Sequence, residues 1–331
     1  MMQYAIAFTL VFVLVLVLMP VLAKLAERLD FTDKPTERKK HTTPMPLSGG
    51  VAMFLAFAVG FIIFAITTEP DLPAVPAIPE FLAKPALLAG AVMILLVGLV
   101  DDYSKTKGKD FPVWPRLLVQ VGAASLAFAA GIRFTGFFNP IADQYLELHI
   151  VLQYILTVLW FVGLITAFNF MDGLDGLSGL LALVSGTTFF IVAVYMNQAD
   201  SAFLAIIFVA AVAGFLRYNL PPAKVYMGDS GAYLLGYLLA AISLHGAFKQ
   251  ATVISLTIPV LAMGVPIFDS ILVVARRILA RKPAHVADST NITHIHFRLV
   301  RDGMKPRHAV TLIFLLSACL SLASIIVMLV F

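Results

Sequence analysis

The feature that most constrains this chain is the recurrence of apolar stretches along its whole length. They fall near residues 3–22, 49–67, 82–100, 114–131, 149–168, 176–196, 201–216, 229–245, 251–273 and 309–331. Most of them approach the roughly 20 residues that a helix needs to cross about 30 Å of hydrocarbon. Inside a bilayer each backbone amide must find its partner within the protein, so runs of this length specify helices. Composition agrees, since 60% of the residues are hydrophobic and the mean hydropathy is +0.95, outside the range of an ordinary water-soluble domain. The expectation is an all-α, polytopic integral membrane protein of about ten transmembrane helices, organised as one domain over residues 1–331.

The charged residues orient that bundle. With the N-terminus outside, 20 Lys and Arg fall in the inner loops and only Lys84, Arg133 and Lys249 lie outside. Short cytoplasmic loops are the ones enriched in Lys and Arg, so both termini are expected on the periplasmic or external side. The main cytoplasmic loops are then 23–48, 101–113, 217–228 and 274–308. The net charge of +4 is spread through loops between spans, and no nucleic-acid partner is expected from it. The opening run from Ala5 to Leu18 lacks a preceding basic segment and a clear cleavage site, so it reads as a retained first span. Pro259 and Pro266 predict a kink in the ninth run. The outer segment 69–80 carries four prolines and reads as an extended cover. The single cysteine, Cys319, excludes an intramolecular disulfide and reads as a small buried or lipid-facing side chain.

Acids cluster where spans end. Asp101 and Asp102 follow the third run, Asn169, Asp172 and Asp175 lie between the fifth and sixth, Asp229 begins the eighth, and Asp269 lies near the inner end of the ninth. Acids next to hydrocarbon are costly unless paired or used, so a shared polar cleft at the cytoplasmic face is expected. The spacing of three from Asn169 to Asp172 to Asp175 would put all three roughly on one face of a helix. Gly173 and Gly176 either mark a break in that helix or serve as packing contacts. Asp101 and Asp102 either cap a loop or combine metal coordination with phosphate positioning beside Lys105, Lys107 and Lys109. In Met227-Gly228-Asp229-Ser230-Gly231 the acid and hydroxyl are either a helix N-cap or ligands for a hard divalent cation.

Two basic segments complete the inner face. His294-Ile295-His296-Phe297-Arg298 lacks a third ligand at zinc spacing. In extended backbone His294 and His296 would point to the same side, toward phosphate oxygens that Arg298 also reaches. The segment from Glu37 to Pro44, with Lys40 and His41 at its centre, either reflects topology alone or holds a lipid phosphate.

Together these motifs resemble the bacterial polyprenyl-phosphate N-acetylhexosamine-1-phosphate transferases, of the glycosyltransferase family 4 type. The resemblance runs from Arg38-Lys39-Lys40-His41, Pro44-Met45-Pro46 and Ser48-Gly49-Gly50, through Asp101-Asp102, Asn169 to Gly176 and Met227 to Gly231, to the histidine segment. It implies a single transmembrane catalytic domain that transfers a sugar-1-phosphate from a UDP-sugar to undecaprenyl phosphate, releasing UMP. The implied cofactor is Mg2+, or Mn2+ in its place, with Asp229 as first ligand and Asp101 and Asn169 beside it. Asp101 and Asp102 would position the lipid phosphate, one of them accepting its proton. Asn169, Asp172 and Asp175 would contact the nucleotide or diphosphate, Tyr226 the uracil, and Lys105 a phosphate. His294, His296 and Arg298 would hold the diphosphate or the sugar. The implied partners are a UDP-N-acetylhexosamine, undecaprenyl phosphate and membrane lipids in the bacterial inner membrane, with a homo-oligomer left open.

Two positions depart from the family pattern. Thr166 stands where an asparagine often precedes Asn169 by three residues, and Phe297 replaces a third histidine. Competing readings are a transporter of an anionic solute, whose acids belong near midplane, a nonenzymatic lipid-binding scaffold, and the related phospho-N-acetylmuramoyl-pentapeptide transferase. A CDP-alcohol phosphotransferase lacks its spaced-aspartate signature here.

Overall fold

A computed structural model of the chain describes residues 1–34, 43–67, 80–139, 144–246, 253–279 and 294–330. The helices are α1 (Met2–Arg28), α2 (Gly49–Thr67), α3 (Glu80–Thr106), α4 (Val113–Ala129), α5 (Ile150–Met171), α6 (Leu177–Tyr195), α7 (Ala199–Asn219), α8 (Gly228–Gly246), α9 (Val253–Ala262), α10 (Gly264–Leu279), α11 (Ile295–Arg301) and α12 (Pro306–Val330). Seven of them, α1, α2, α3, α5, α6, α7 and α12, are long and apolar enough to cross a membrane. The protein is therefore an α-helical polytopic membrane protein.

Burial separates the helices by role. The apolar part of α7 is 78% buried inside the bundle against 22% for α1, although both are strongly hydrophobic. In water the exposed Ile6, Leu10, Val13 and Val17 of α1 would form an unstable apolar surface. Facing lipid they match their solvent. At the centre α8 packs between α3 and α5, with Tyr233 and Tyr237 fully buried. Close approach is possible because α3 offers glycine where they touch. A Cβ on Gly98 would overlap the Ser230 backbone, and one on Gly90 would overlap the Tyr237 ring. Small residues at such crossings let backbones meet, which drives association where no hydrophobic effect acts between helices.

The ninth run is broken rather than kinked. Proline carries no N–H, so Pro266 leaves Ala262 O without its i+4 donor, and the chain restarts as α10 with Pro266 in the first turn, where that donor is not needed. The freed carbonyl is covered from neighbouring helices. Ser185 of α6 places its hydroxyl 2.8 Å from Ala262 O, and Ser321 of α12 approaches it at 3.5 Å.

Four short strands depart from an all-helix expectation. β1 (Thr32–Asp33) pairs antiparallel with β2 (Met45–Pro46), and β3 (Gly136–Asn139) with β4 (Gln144–Glu147). The first pair bears on the site, because Tyr226 N donates to Pro46 O at 3.0 Å and Gly49 N to Tyr226 O at 3.0 Å. This ties the chain after α1 to the entry of α8. Cys319 lies exposed on α12.

Candidate active site

The C-termini of α3, α5 and α7 meet the N-termini of α2, α4, α6 and α8 at one end of the bundle, and the polar residues gather there. The junction of α3 and α8 organises them. Asp102, only 2% exposed, accepts Asp229 N at Oδ1 (2.7 Å) and Ser230 N at Oδ2 (3.1 Å). The first amides of a helix have no intrahelical partner, and here a carboxylate from another helix supplies it. Gly228 makes room, with φ +70° and a Cβ position that would overlap the Asp102 carboxylate. The N-cap expected from Asp229 or Ser230 is thus provided by Asp102 instead.

That arrangement frees the Asp229 side chain. Its Oδ2 pairs with Lys105 Nζ, and its Oδ1 accepts Asn169 Nδ2 at 3.0 Å. Beside it, Asp101 Oδ2 accepts from Arg116 and from the Tyr233 hydroxyl, each at 2.8 Å. Among the described residues Asp101 Oδ1 is buried with no hydrogen bond, 3.8 Å from the Lys105 ammonium. Among those residues Asp101, Asp102 and Asp229 face the cations Lys105 and Arg116, fewer positive charges than carboxylates.

The donor set fits a hard divalent ion. Among the described residues no group of three His, Cys, Asp or Glu side chains is arranged to hold a metal. Mg2+, however, needs only one or two carboxylates when substrate phosphates and water complete its shell. Asp229, the unbonded Asp101 Oδ1 and the amide of Asn169 supply that much.

The segment after α5 departs from the helical face expected of it. The helix ends at Met171, Asp172 is the C-cap residue, and Gly176 adopts a left-handed φ of +77°. Glycine reaches that conformation without strain, so the chain turns and the three polar residues separate. Asn169 reaches Asp229, Asp172 accepts the Ser178 hydroxyl at 2.8 Å, and Asp175 accepts Ala223 N at 3.0 Å. Burial pushes Asp172 up to about 7, with Asp229 and Asp175 adding to the rise. Its charge therefore responds to any cation brought nearby. Tyr226, half-buried in the next loop, is raised to about 12 by burial and by the surrounding carboxylates, Asp175 first. It stays a neutral ring.

The histidine segment is also rebuilt by its surroundings. It begins the short helix α11 rather than running extended, because Asp269 Oδ1 accepts Ile295 N at 2.9 Å and starts the turn. His294 bonds the same carboxylate and lies 4.8 Å from the Phe170 ring. His296 is fully buried, packs against Gly173 and Phe297, and among the described residues has no hydrogen-bond partner on either ring nitrogen. Burial lowers it to about 4, so it is neutral at physiological pH. Arg298 lies on α11, and its amide donates to His294 O. Lys40 and His41 lie outside the described residues.

Sequence reasoning missed several partners. Arg116, in the first turn of α4, holds Asp101. Tyr233 falls four residues after Asp229, a helical spacing that could have flagged it. Asn219 closes the end of α7 by accepting Gly176 N at 3.0 Å and donating to Val225 O at 2.9 Å. A test of the first pair is Tyr233→Phe, which removes one bond to the Asp101 carboxylate. Hydrogen bonds to charged groups contribute about 1.5 kcal/mol or more, so about a tenfold fall in turnover is expected, read by initial rates with protein folding checked by thermal unfolding.

Fold and site together describe a helical membrane protein with carboxylates, an amide and basic side chains meeting at its helix ends. The glycosyl transferase family 4 model matches residues 85–247, which contain Asp101, Asp102, Lys105, Asn169 and Asp229. The chain is 33% identical over 326 residues to a probable undecaprenyl-phosphate N-acetylglucosaminyl 1-phosphate transferase of Bacillus subtilis, covering 98% of this chain and 85% of that relative. It is 31% identical over 312 residues to a decaprenyl-phosphate N-acetylglucosaminephosphotransferase of Mycobacterium leprae, covering 88% and 75%. A phospho-N-acetylmuramoyl-pentapeptide-transferase of Symbiobacterium thermophilum is 30% identical over 284 residues, 80% of each chain. The chain belongs to glycosyl transferase family 4, with the polyprenyl-phosphate N-acetylhexosamine-1-phosphate transferases.

Proposed function

We propose that the chain transfers an N-acetylhexosamine-1-phosphate from a UDP-sugar to undecaprenyl phosphate, forming undecaprenyl-diphospho-sugar and UMP at the start of lipid-linked surface-glycan synthesis. The observation that carries this reading is the meeting of Asp101, Lys105, Asn169 and Asp229 where α3 and α5 end and α8 begins. Two phosphorylated substrates, one of them a lipid, can reach such a place from water and from the bilayer edge. The positive-inside bias supports a cytoplasmic cleft in the inner membrane, with both termini outside and α4, α8 and the α9–α10 pair completing about ten crossings. One catalytic domain over residues 1–331 follows from the same reading.

In this reaction an oxygen of the lipid phosphate attacks the β phosphorus, the bond from that phosphorus to the bridging oxygen breaks, and UMP leaves with that oxygen. A phosphate monoester has a second pKa near 6, so most of the acceptor arrives as a dianion. For the remainder, Asp101 Oδ1 serves as the proton acceptor when Asp229 and Asn169 alone hold the metal. Asp102 has both oxygens on helix amides and serves by holding Asp229 in place. Lys105 binds and orients phosphate oxygens, while Lys40 and His41 are assigned to the lipid phosphate. The turn carrying Asn169, Asp172 and Asp175 receives the nucleotide, with Tyr226 against the uracil face. His294, His296 and Arg298 border the diphosphate and sugar. When bound by Asp229, Asp101 and Asn169, Mg2+ or Mn2+ would neutralise diphosphate charge and favour departure of UMP.

The test uses purified full-length protein, undecaprenyl phosphate and a panel of donors: UDP-N-acetylglucosamine, UDP-N-acetylgalactosamine and UDP-N-acetylmuramoyl-pentapeptide. Magnesium-dependent UMP release with a lipid-linked product is expected from an amino-sugar donor. Turnover of the pentapeptide donor alone would move the chain to the branch of the Symbiobacterium relative. Uptake of an anionic solute into vesicles without UMP release would replace the reading with transport.

A further inference from the structure

Asp269 is a buried carboxylate, 8% exposed, in the helix that restarts after the Ala262 break. Both of its oxygens are engaged, and both point to one short stretch. Oδ2 lies 2.7 Å from His294 Nδ1, and Oδ1 accepts Ile295 N at 2.9 Å. A carboxylate oxygen facing Nδ1 requires a proton on that nitrogen, which leaves Nε2 as the ring nitrogen not engaged by Asp269. The ring is also held by its faces, with Phe170 at 4.8 Å and His296 at 5.9 Å between centroids. Phe170 directly follows Asn169, whose amide donates to Asp229. One side chain on α10 thus sets the tautomer of His294, its ring plane and the start of α11 beside the catalytic cluster.

We propose that Asp269 is the positioning residue for His294, holding the Nδ1–H so that Nε2, protonated as well in the imidazolium, donates to the diphosphate of the sugar nucleotide. The inference rests on the transferase reading for the identity of that ligand. Partners that hold a functional histidine from behind commonly change activity by about 10–100-fold when removed. Asp269→Asn keeps the size of the side chain but presents either an amide donor or a weaker neutral acceptor to Nδ1.

Two measurements test this on the purified full chain. In the first, kcat and KM for the UDP-sugar and for undecaprenyl phosphate are compared among wild type, Asp269→Asn, His294→Gln and the double variant. The expected result is a rise of about tenfold in KM for the UDP-sugar in Asp269→Asn, with KM for the lipid unchanged. The double variant should be no worse than the weaker single, because both changes remove the same contact. Multiplying losses, or a lower thermal midpoint with both KM values unchanged, would overturn the proposal in favour of a purely structural anchor. In the second, 15N-histidine NMR identifies the His294 ring by its disappearance in His294→Gln. Wild type should carry a proton on Nδ1, and Asp269→Asn should lose it. A wild-type ring protonated on Nε2 alone defeats the proposal whatever the activity, whereas a proton on Nδ1 in a protein that releases no UMP would condemn the transferase reading alone.

Discussion

Replacing Asp229 with asparagine should lower kcat by about 10²–10³-fold while leaving the thermal midpoint of the purified protein nearly unchanged. The two effects are expected to separate because this residue meets the helix and the proposed chemistry through different atoms. Its backbone N–H is held by Asp102 and survives the substitution. Its side-chain oxygens face Lys105 and Asn169, and an amide there removes the charge while retaining an acceptor for Asn169. Lys105 would lose its nearest counter-ion, and a divalent ion its principal carboxylate. The measurement is UMP release across a magnesium titration, with a rightward shift of the midpoint expected alongside the lower plateau. Turnover within about threefold of wild type, well short of that range, would remove Asp229 from the chemistry.

Asp102→Asn should do the opposite and damage stability first. In the native protein two amide donors of α8 share one buried carboxylate. An asparagine can accept one of them but turns an NH2 group toward the other. A buried donor left without an acceptor costs about 1–3 kcal/mol, at the junction that also aims Asp229. A clear drop in the unfolding midpoint is expected in detergent, with activity falling alongside it. Gly228→Ala should reproduce this phenotype from the other side, since its Cβ would displace the same carboxylate and its φ of +70° disfavours any side chain. Should Asp102→Asn unfold like wild type yet lose all turnover, the helix cap would be incidental, and Asp102 would return as the acceptor of the lipid phosphate proton.

Much of the site was legible because its acids stand at the ends of apolar runs, where a charge beside hydrocarbon needs a reason. Asp101, Asp102, Asn169 and Asp229 were found that way, and they do meet. Their division of labour was not legible. Adjacent in sequence, Asp101 turns to Arg116 and Tyr233 while Asp102 turns to the α8 amides. Local spacing misled twice. The repeat of three from Asn169 assumed a helix that ends at Met171, and the alternation of His294 and His296 assumed an extended chain that Asp269 converts into a helix start. In both cases a contact or a left-handed glycine from outside the pattern overrode it. The β3–β4 hairpin was missed because Gln144–Glu147 is exposed along its whole length, with no buried face to impose an alternation on its sequence.

The sequence by itself determined the class of molecule: a helical membrane protein with acidic residues at the ends of its apolar runs. Matching a segment to hydrocarbon depends on apolar character summed over neighbouring residues, which any stretch of chain carries with it. Only the tertiary structure decided which oxygen faces which donor. Asn169 meets Asp229 across 60 positions of sequence, and Asp102 meets Asp229 N across 127. Such pairings come from how helices approach and rotate against one another, at crossings opened by residues like Gly98 and Gly228, and no local pattern records that geometry.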